Sequence, residues 1–369
     1  MASDGPANYQ IHTVDVNTSN DYFGGSFRWS EAPPYKPQTM EEAQGHIDYL
    51  YESGVPFFSK EMIRAVFEQC QRKPARGELI YVKGVDGATV EFVSKTGEIK
   101  KRTSADGVSL EYLLLDPVIS YDCRAHLKHR LWWTGLPGRP PFCSLTIQHP
   151  SLEFKAGSNE PVVHWPTQPR EEVAQAFQGH FQDWQETEVC QQLKQVLHRH
   201  AATHRITKVV GLALSAMSIR VDDCPRSYIQ HALLLTLRNW LAERDGTEVT
   251  CYAQDPGYRS VDKEVLRAHN IQVIDDPQAW LEIDDQSVVF SVAPNVPVKE
   301  IVADIARPGI IIWERVGFED ADQEGKTSST DPSSPRVRAM LEGYELFDFG
   351  AEDDPNFCRT VMYIRRHQG

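Results

Sequence analysis

The chain has 369 residues, 41% of them hydrophobic and 24% charged, with a net charge of −14. That length predicts more than one domain, and no apolar run approaches the roughly 20 residues of a membrane span. The acidic balance excludes a general nucleic-acid coat.

Seven cysteines are scattered singly, with no CxxC pair and no zinc spacing. In that pattern they read as reduced thiols. The opening MASDGPANYQIHTVD lacks the basic start and apolar core of a secretory signal, so the expected compartment is the cytoplasm.

Residues 1–38, polar and proline-bearing (SEAPPYKPQT), predict a flexible N-terminal arm. A smaller α+β region is expected over 39–170. TMEEAQGHIDYLYESG and SKEMIRAVFEQCQRK predict two amphipathic helices, with Thr39 and Ser59 as N-caps and Gly54 ending the first. GELIYVKGVDGATVEFVSKTGEIKKR alternates and is broken at VDGA and KTGE, the pattern of a hairpin or small meander that VSLEYLLLDPVISY continues. Residues 135–169, rich in Pro and Gly, read as irregular. Residues 171–204 predict a connecting helix, continuous or broken near Gly179.

From 205 to 369 the pattern becomes strand, helix, strand, helix. ITKVVGLAL, EVTCYAQD, IQVID, SVVFSVAP and GIIIWERV are continuous apolar strands. PRSYIQHALLLTLRNWLAER, SVDKEVLRAHN and PVKEIVADIA are the helices between them. Strands of this kind indicate a mostly parallel, doubly wound α/β sheet covered on both faces. An acidic, Ser-rich loop is expected near 318–335, then a helix in VRAMLEGYELFDFG and an edge strand in RTVMYIRR. Ligands of such sheets bind beyond the carboxyl ends of the strands.

KVVGLALSAMS, IQHALLL, YAQDPGYRSVDKEVLRAHNIQVID and VVFSVAPNVPVKEIVADI together resemble the sensitivity-to-red-light-reduced-like (SRR-like) domain family, in its fungal branch. The likeness covers roughly 205–316. It implies a Rossmann-like fold, which by itself fixes no chemistry. APNVP stands where other members more often show a Pro-His-Cys type sequence, a departure that speaks against a haem or metal role. The chain also resembles fungal arginine-containing cyclodipeptide synthases. That resemblance implies synthesis of a diketopiperazine from charged tRNAs (arginyl-tRNA and a second aminoacyl-tRNA), without cofactor, metal, membrane or DNA.

Ser215 and Ser218 follow the first strand of this half. No GxSxG elbow and no GxGxxG loop surrounds them, and Gly211 stands alone. Either serine can take up an already activated acyl group, Ser215 preferred, or simply satisfy turn amides. Asp222 and Asp223, just before Pro225, suit either a helix start or a substrate guanidinium. Asp255, Tyr258 and Glu314 lie at or near strand carboxyl ends and are further substrate-binding candidates, with Asp262 close by. Gln230 and His231, on the first helix, read equally as further site candidates or as residues that face solvent or cap neighbours.

Two acid-free stretches, 124–152 and 190–208, stand out on an acidic chain. Arg199, Arg205 and Lys208 are candidate tRNA-phosphate contacts, or else a cationic helix end. Lys128, Arg130 and Arg139, beside Trp132 and Trp133, are the alternative surface. His198 and His200 lie two apart on one helix and point away from each other, which excludes a shared metal. Two functions stay open: the tRNA-dependent aminoacyltransferase, and a non-catalytic SRR-like regulatory or small-ligand (haem-related) binding protein.

Overall fold

The first helices start where their caps allow. The computed structural model describes residues 19–24, 26–30, 34, 35, 37, 39–103, 107–130, 140, 142–202, 204–219, 225–246, 248–317 and 329–366. Thr39 accepts from the Glu42 amide at 3.1 Å and opens α1 (Met40–Glu52). Ser59 does the same for the Met62 amide and opens α2 (Lys60–Gln71). Gly54, at φ 85°, takes the left-handed turn after α1 without the Cβ penalty.

Strands β1 (Ser19–Gly24) and β2 (Ser26–Trp29) lie within the segment expected as an arm. VDGA does turn a hairpin between β3 (Leu79–Lys83) and β4 (Thr89–Val93), and β2 adds to β4. After KTGE the chain leaves that sheet. β5 (Ile99–Thr103) pairs with β6 (Ser109–Leu114) in a second one, so the two runs are not one meander. β7 (Val118–Tyr121) and the short helix α3 (Arg124–Arg130) follow.

The stretch expected as irregular holds the longest strand, β8 (Leu145–Lys155), which pairs with β1, β6 and β7. Pro150 concealed it. β7 pairs with Leu145–Gln148 and β6 with Ser151–Lys155, so the proline's missing N–H falls where one partner hands over to the other.

Residues 170–200 form two helices, α4 (Arg170–Glu186) and α5 (Glu188–His200), broken at Thr187 and not at Gly179. The Thr187 hydroxyl accepts the Cys190 amide and so favours a new start there. Neither helix is a mere connector, since Val173, Phe177, Trp184, Leu193 and Leu197 are all buried.

Strands and helices then alternate: β9 (Lys208–Leu212), α6 (Arg226–Asp245), β10 (Thr250–Gln254), α7 (Ser260–Ala268) and β11 (Gln272–Val273). Next come α8 (Gln278–Glu282), β12 (Ser287–Ser291), α9 (Val298–Ile305), β13 (Ile310–Glu314), α10 (Pro335–Leu341), β14 (Tyr344–Phe347) and β15 (Thr360–Arg365). The sheet order is β11-β10-β9-β12-β13-β15-β14. The first five strands run parallel, and β15 and β14 pair antiparallel. RTVMYIRR is therefore an inner strand, and β14 is the edge.

Val210, Leu212, Val289 and Ile311 point to one face, packed by α8, α9, α10 and the N-terminal region. Val209, Val288, Phe290 and Ile312 point to the other, under α4 to α7. The chain is thus mixed α/β with several sheets. Among the described strand pairs of the whole chain eight are antiparallel and four parallel, while within the seven-stranded sheet four of the six pairs are parallel.

Candidate functional site

The carboxyl end of β9 bends sharply: Ala213 and Ser215 have φ of 57° and 61°, in the left-handed region that costs a side chain free energy. Hydrogen bonds hold this bend. Asp255, after β10, accepts the Ser215 amide at 2.9 Å and the Gly257 amide at 2.7 Å. The Ser227 hydroxyl donates to the Ser215 carbonyl at 2.8 Å. Ser215 itself is exposed. Burial holds the Asp255 carboxyl above its ordinary pKa, against the two amides that favour its charge.

Gly211 is explained by packing. A Cβ there would come within 2.9 Å of Leu214 and 3.0 Å of Leu234 on α6. It lets the helix close on the strand and is no remnant of a phosphate loop.

The second serine has a different position. Ser218 is buried, and its hydroxyl donates to Asp262 Oδ2 at 2.7 Å. Asp262 Oδ1 accepts the Met217 and Ser218 amides, each at 2.8 Å, and Oδ2 accepts Arg259 N–H. One buried carboxylate thus ties the loop after β9 to the start of α7. Of the two serines, only Ser215 is exposed.

Behind this loop His231 of α6 pairs with Tyr258, one of the substrate-binding candidates. His231 Nδ1 lies 2.7 Å from the Ser227 carbonyl, so it must carry the proton and donate. Nε2 then accepts from the Tyr258 hydroxyl at 2.7 Å. Burial pushes the His231 pKa down to about 4, which keeps the ring neutral. Burial and the nearby Asp255 and Asp262 hold the Tyr258 hydroxyl protonated. Tyr258 is thus buried, with its hydroxyl engaged by His231.

Across the sheet, Glu314 ends β13, with its side chain 44% exposed. Lys299, at the start of α9, donates to it at 3.2 Å and lies 3.5 Å from Asp331. The lysine is 3% exposed. Burial alone would lower its pKa, but the carboxylates of Asp331 and Glu314 carry it above the ordinary value. Lys299 was not singled out from the sequence, where a lysine opening a helix reads as surface. The one available signal was its place directly after the fourth strand of the parallel run.

Asp222 and Asp223 lie outside the described residues, as do Arg139, Trp132 and Trp133; nothing is described of the Arg130 side chain. Lys128 bonds Asp48 at 2.8 Å. Arg199 and Arg205 are exposed. Lys208 is not a free cation: it lies 3.4 Å from Glu282 and 3.1 Å from Asp284, whose attraction outweighs burial and raises its pKa. β9 places it at the end opposite Ser215.

A further buried carboxylate, Asp276, accepts from Tyr121, Gln254 and Trp280 at the seam with the N-terminal region. Burial pushes it up to about 6 despite these donors. Among the described residues no group of three or more His, Cys, Asp and Glu is arranged to hold a metal. No described helix is long and apolar enough to cross a membrane.

Residues 189–341 match the family model described as SRR1 domain. The chain carries an SRR-like domain. The match begins in α5, ahead of the first parallel strand, and ends with α10. That SRR-like segment contains the Ser215 bend, the Asp262 tie and the Lys299–Glu314 pair. No curated protein matches the chain.

Proposed function

We propose that the SRR-like domain is Rossmann-like and that its carboxyl-edge crevice transfers aminoacyl groups from charged tRNAs. The product on this reading is an arginine-containing cyclic dipeptide, as in the fungal cyclodipeptide synthases that the sequence resembles. The observation that carries it is the exposed Ser215, its backbone held in a strained, hydrogen-bonded bend at the end of β9. Strain held by surrounding bonds is the usual mark of a positioned group.

No histidine is bonded to the Ser215 hydroxyl among the described residues. An aminoacyl ester is already activated, so a strong base beside the serine is not required. Glu314, anchored by Lys299 and half exposed, supplies a carboxylate for the arginyl guanidinium. It ends a strand two positions from β9, roughly 10 Å away at about 4.8 Å per strand. Asp255 is less suited, because its oxygens shape the Ser215 and Gly257 turn.

The same commitment of Asp255 and Asp262 to backbone amides favours a second reading, a non-catalytic small-ligand protein. Expression in a microbial host, with analysis of the extract for arginine-containing diketopiperazines, separates the two. Product from wild type and none from Ser215→Ala supports transfer. Soluble protein without product, or a haem Soret band that survives gel filtration, supports the second reading.

A further inference from the structure

At the end of the sheet opposite Ser215 lies an open cavity of about 1220 Å³. Its wall contains Arg205, Arg307, Arg336, Arg365 and Arg366 against only two acids, Asp285 and Asp304. An excess of three positive charges in one groove is notable on a chain whose net charge is −14. The arginines come from the segments before β9 and β13, from the start of α10 and from the end of β15. No short stretch of sequence reveals the cluster.

How these guanidinium groups are held decides what they can do. Arg336 is occupied: it pairs with Asp304 at 2.9 Å and donates to the Val55 carbonyl. Arg307 Nη1 donates to the Ala303 and Ala306 carbonyls at the end of α9. Arg366 Nη1 donates to the Glu342 carbonyl at the end of α10. Arg365 spans the Arg307 and Asp285 carbonyls and also lies 3.4 Å from the Asp285 carboxylate.

A carbonyl orients a guanidinium without cancelling its charge. The Nε and Nη2 donors of Arg307 and Arg366 make no other bond among the described residues. Arg205 is exposed and adds a further cation. Planar forks fixed along one edge and open along the other match the oxygens of phosphate.

The geometry points to an anion site at the amino edge of the sheet that takes a ligand bearing several phosphates. Arg205, Arg307 and Arg366 supply the uncompensated charge, and Arg365 helps set their spacing. The cavity exceeds the roughly 300–1,000 Å³ of ordinary small-ligand pockets. It therefore admits a free oligophosphate or a stretch of RNA backbone, which share this chemistry. The site does not depend on acyl transfer at Ser215, and absence of any diketopiperazine leaves it standing.

The test is equilibrium binding of two probes, inorganic triphosphate and a short single-stranded RNA, to the full chain at low salt. Wild type and the Arg205→Gln/Arg307→Gln/Arg366→Gln variant are compared. At least one probe should bind the wild type, at least tenfold more weakly the variant, and less tightly as salt rises. Triphosphate that binds and displaces RNA identifies the phosphate chain itself as sufficient; RNA binding alone identifies a backbone. Because Arg307 and Arg366 cap helix ends, Arg205→Glu serves as a variant that removes no described contact. It should weaken the same probe at least threefold with an unchanged melting temperature. Failure of both probes to bind wild type, or equal binding by all three proteins, overturns the assignment.

Discussion

Asp255 accepts the Ser215 amide at 2.9 Å although forty residues separate them, because β9 and β10 are neighbours in the sheet. That bond stabilises a serine at φ 61°, where a side chain is strained by about 1–3 kcal/mol. Ser215→Gly relieves the strain, while added freedom in the unfolded chain offsets roughly 0.4–1 kcal/mol. The melting temperature of this variant should therefore hold or rise. Product formation should disappear, as it should in Ser215→Ala. A glycine variant that still makes full product would show that the hydroxyl takes no part.

Asp262 is the structural counterpart. It accepts three amides and the Ser218 hydroxyl, with no exposure of its own. Asp262→Asn turns an NH2 toward donors and leaves buried N–H groups unmatched, a loss of about 2–4 kcal/mol. Ser218→Ala removes one bond and should cost about 1 kcal/mol. Urea titration measures both. A larger loss from Ser218→Ala than from Asp262→Asn would reverse this ranking.

Much of the C-terminal half was legible because fully buried parallel strands are continuous apolar runs, and KVVGL, SVVFS and IIIWE each mark one. Ser215, Asp255 and Glu314 were legible as strand-end residues for the same reason. The N-terminal sheets were harder to read: Pro150 broke the look of β8, and β5 leaves the sheet of β3 and β4 to pair with β6, the next strand in the chain, in another sheet. Lys299, His231 and the arginine groove depend on contacts between residues far apart in the chain. A side chain's burial or charge environment is a tertiary property, and Lys208 shows it: basic in sequence, it is matched by Asp284 in the fold.

Lys299 carries a charge that is almost wholly buried between Glu314 and Asp331. Lys299→Met should cost about 3–5 kcal/mol, because it strands the Asp331 carboxylate without its cation. Adding Asp331→Asn should recover part of that loss, a coupling that a double-mutant cycle reads directly. Strict additivity of the two substitutions would mean that the pair contributes little.

The seam between the N-terminal region and α9 should make stability fall as pH rises from about 4.5 to about 7. Glu300 is buried on α9, where its Oε2 accepts the Arg124 amide at 2.9 Å. Burial pushes its pKa up from the ordinary 4.5 to about 7, with Asp304 adding to the rise and the Arg124 amide opposing it. Between those values the folded protein holds a proton that the unfolded chain has released. The contribution is therefore complete below about pH 4.5 and is lost as pH rises through 7. Asp276, raised to about 6, acts in the same sense. His231, lowered to about 4, acts in the opposite one and loses its contribution as pH falls from 6.5. Glu300→Gln keeps an oxygen for the Arg124 amide and cannot ionise. Relative to wild type it should be near neutral at pH 5 and more stable by up to about 3 kcal/mol at pH 8. Denaturant titrations of both proteins from pH 5 to 8 measure that difference. A gap between them that does not change with pH would mean that Glu300 does not titrate in this window.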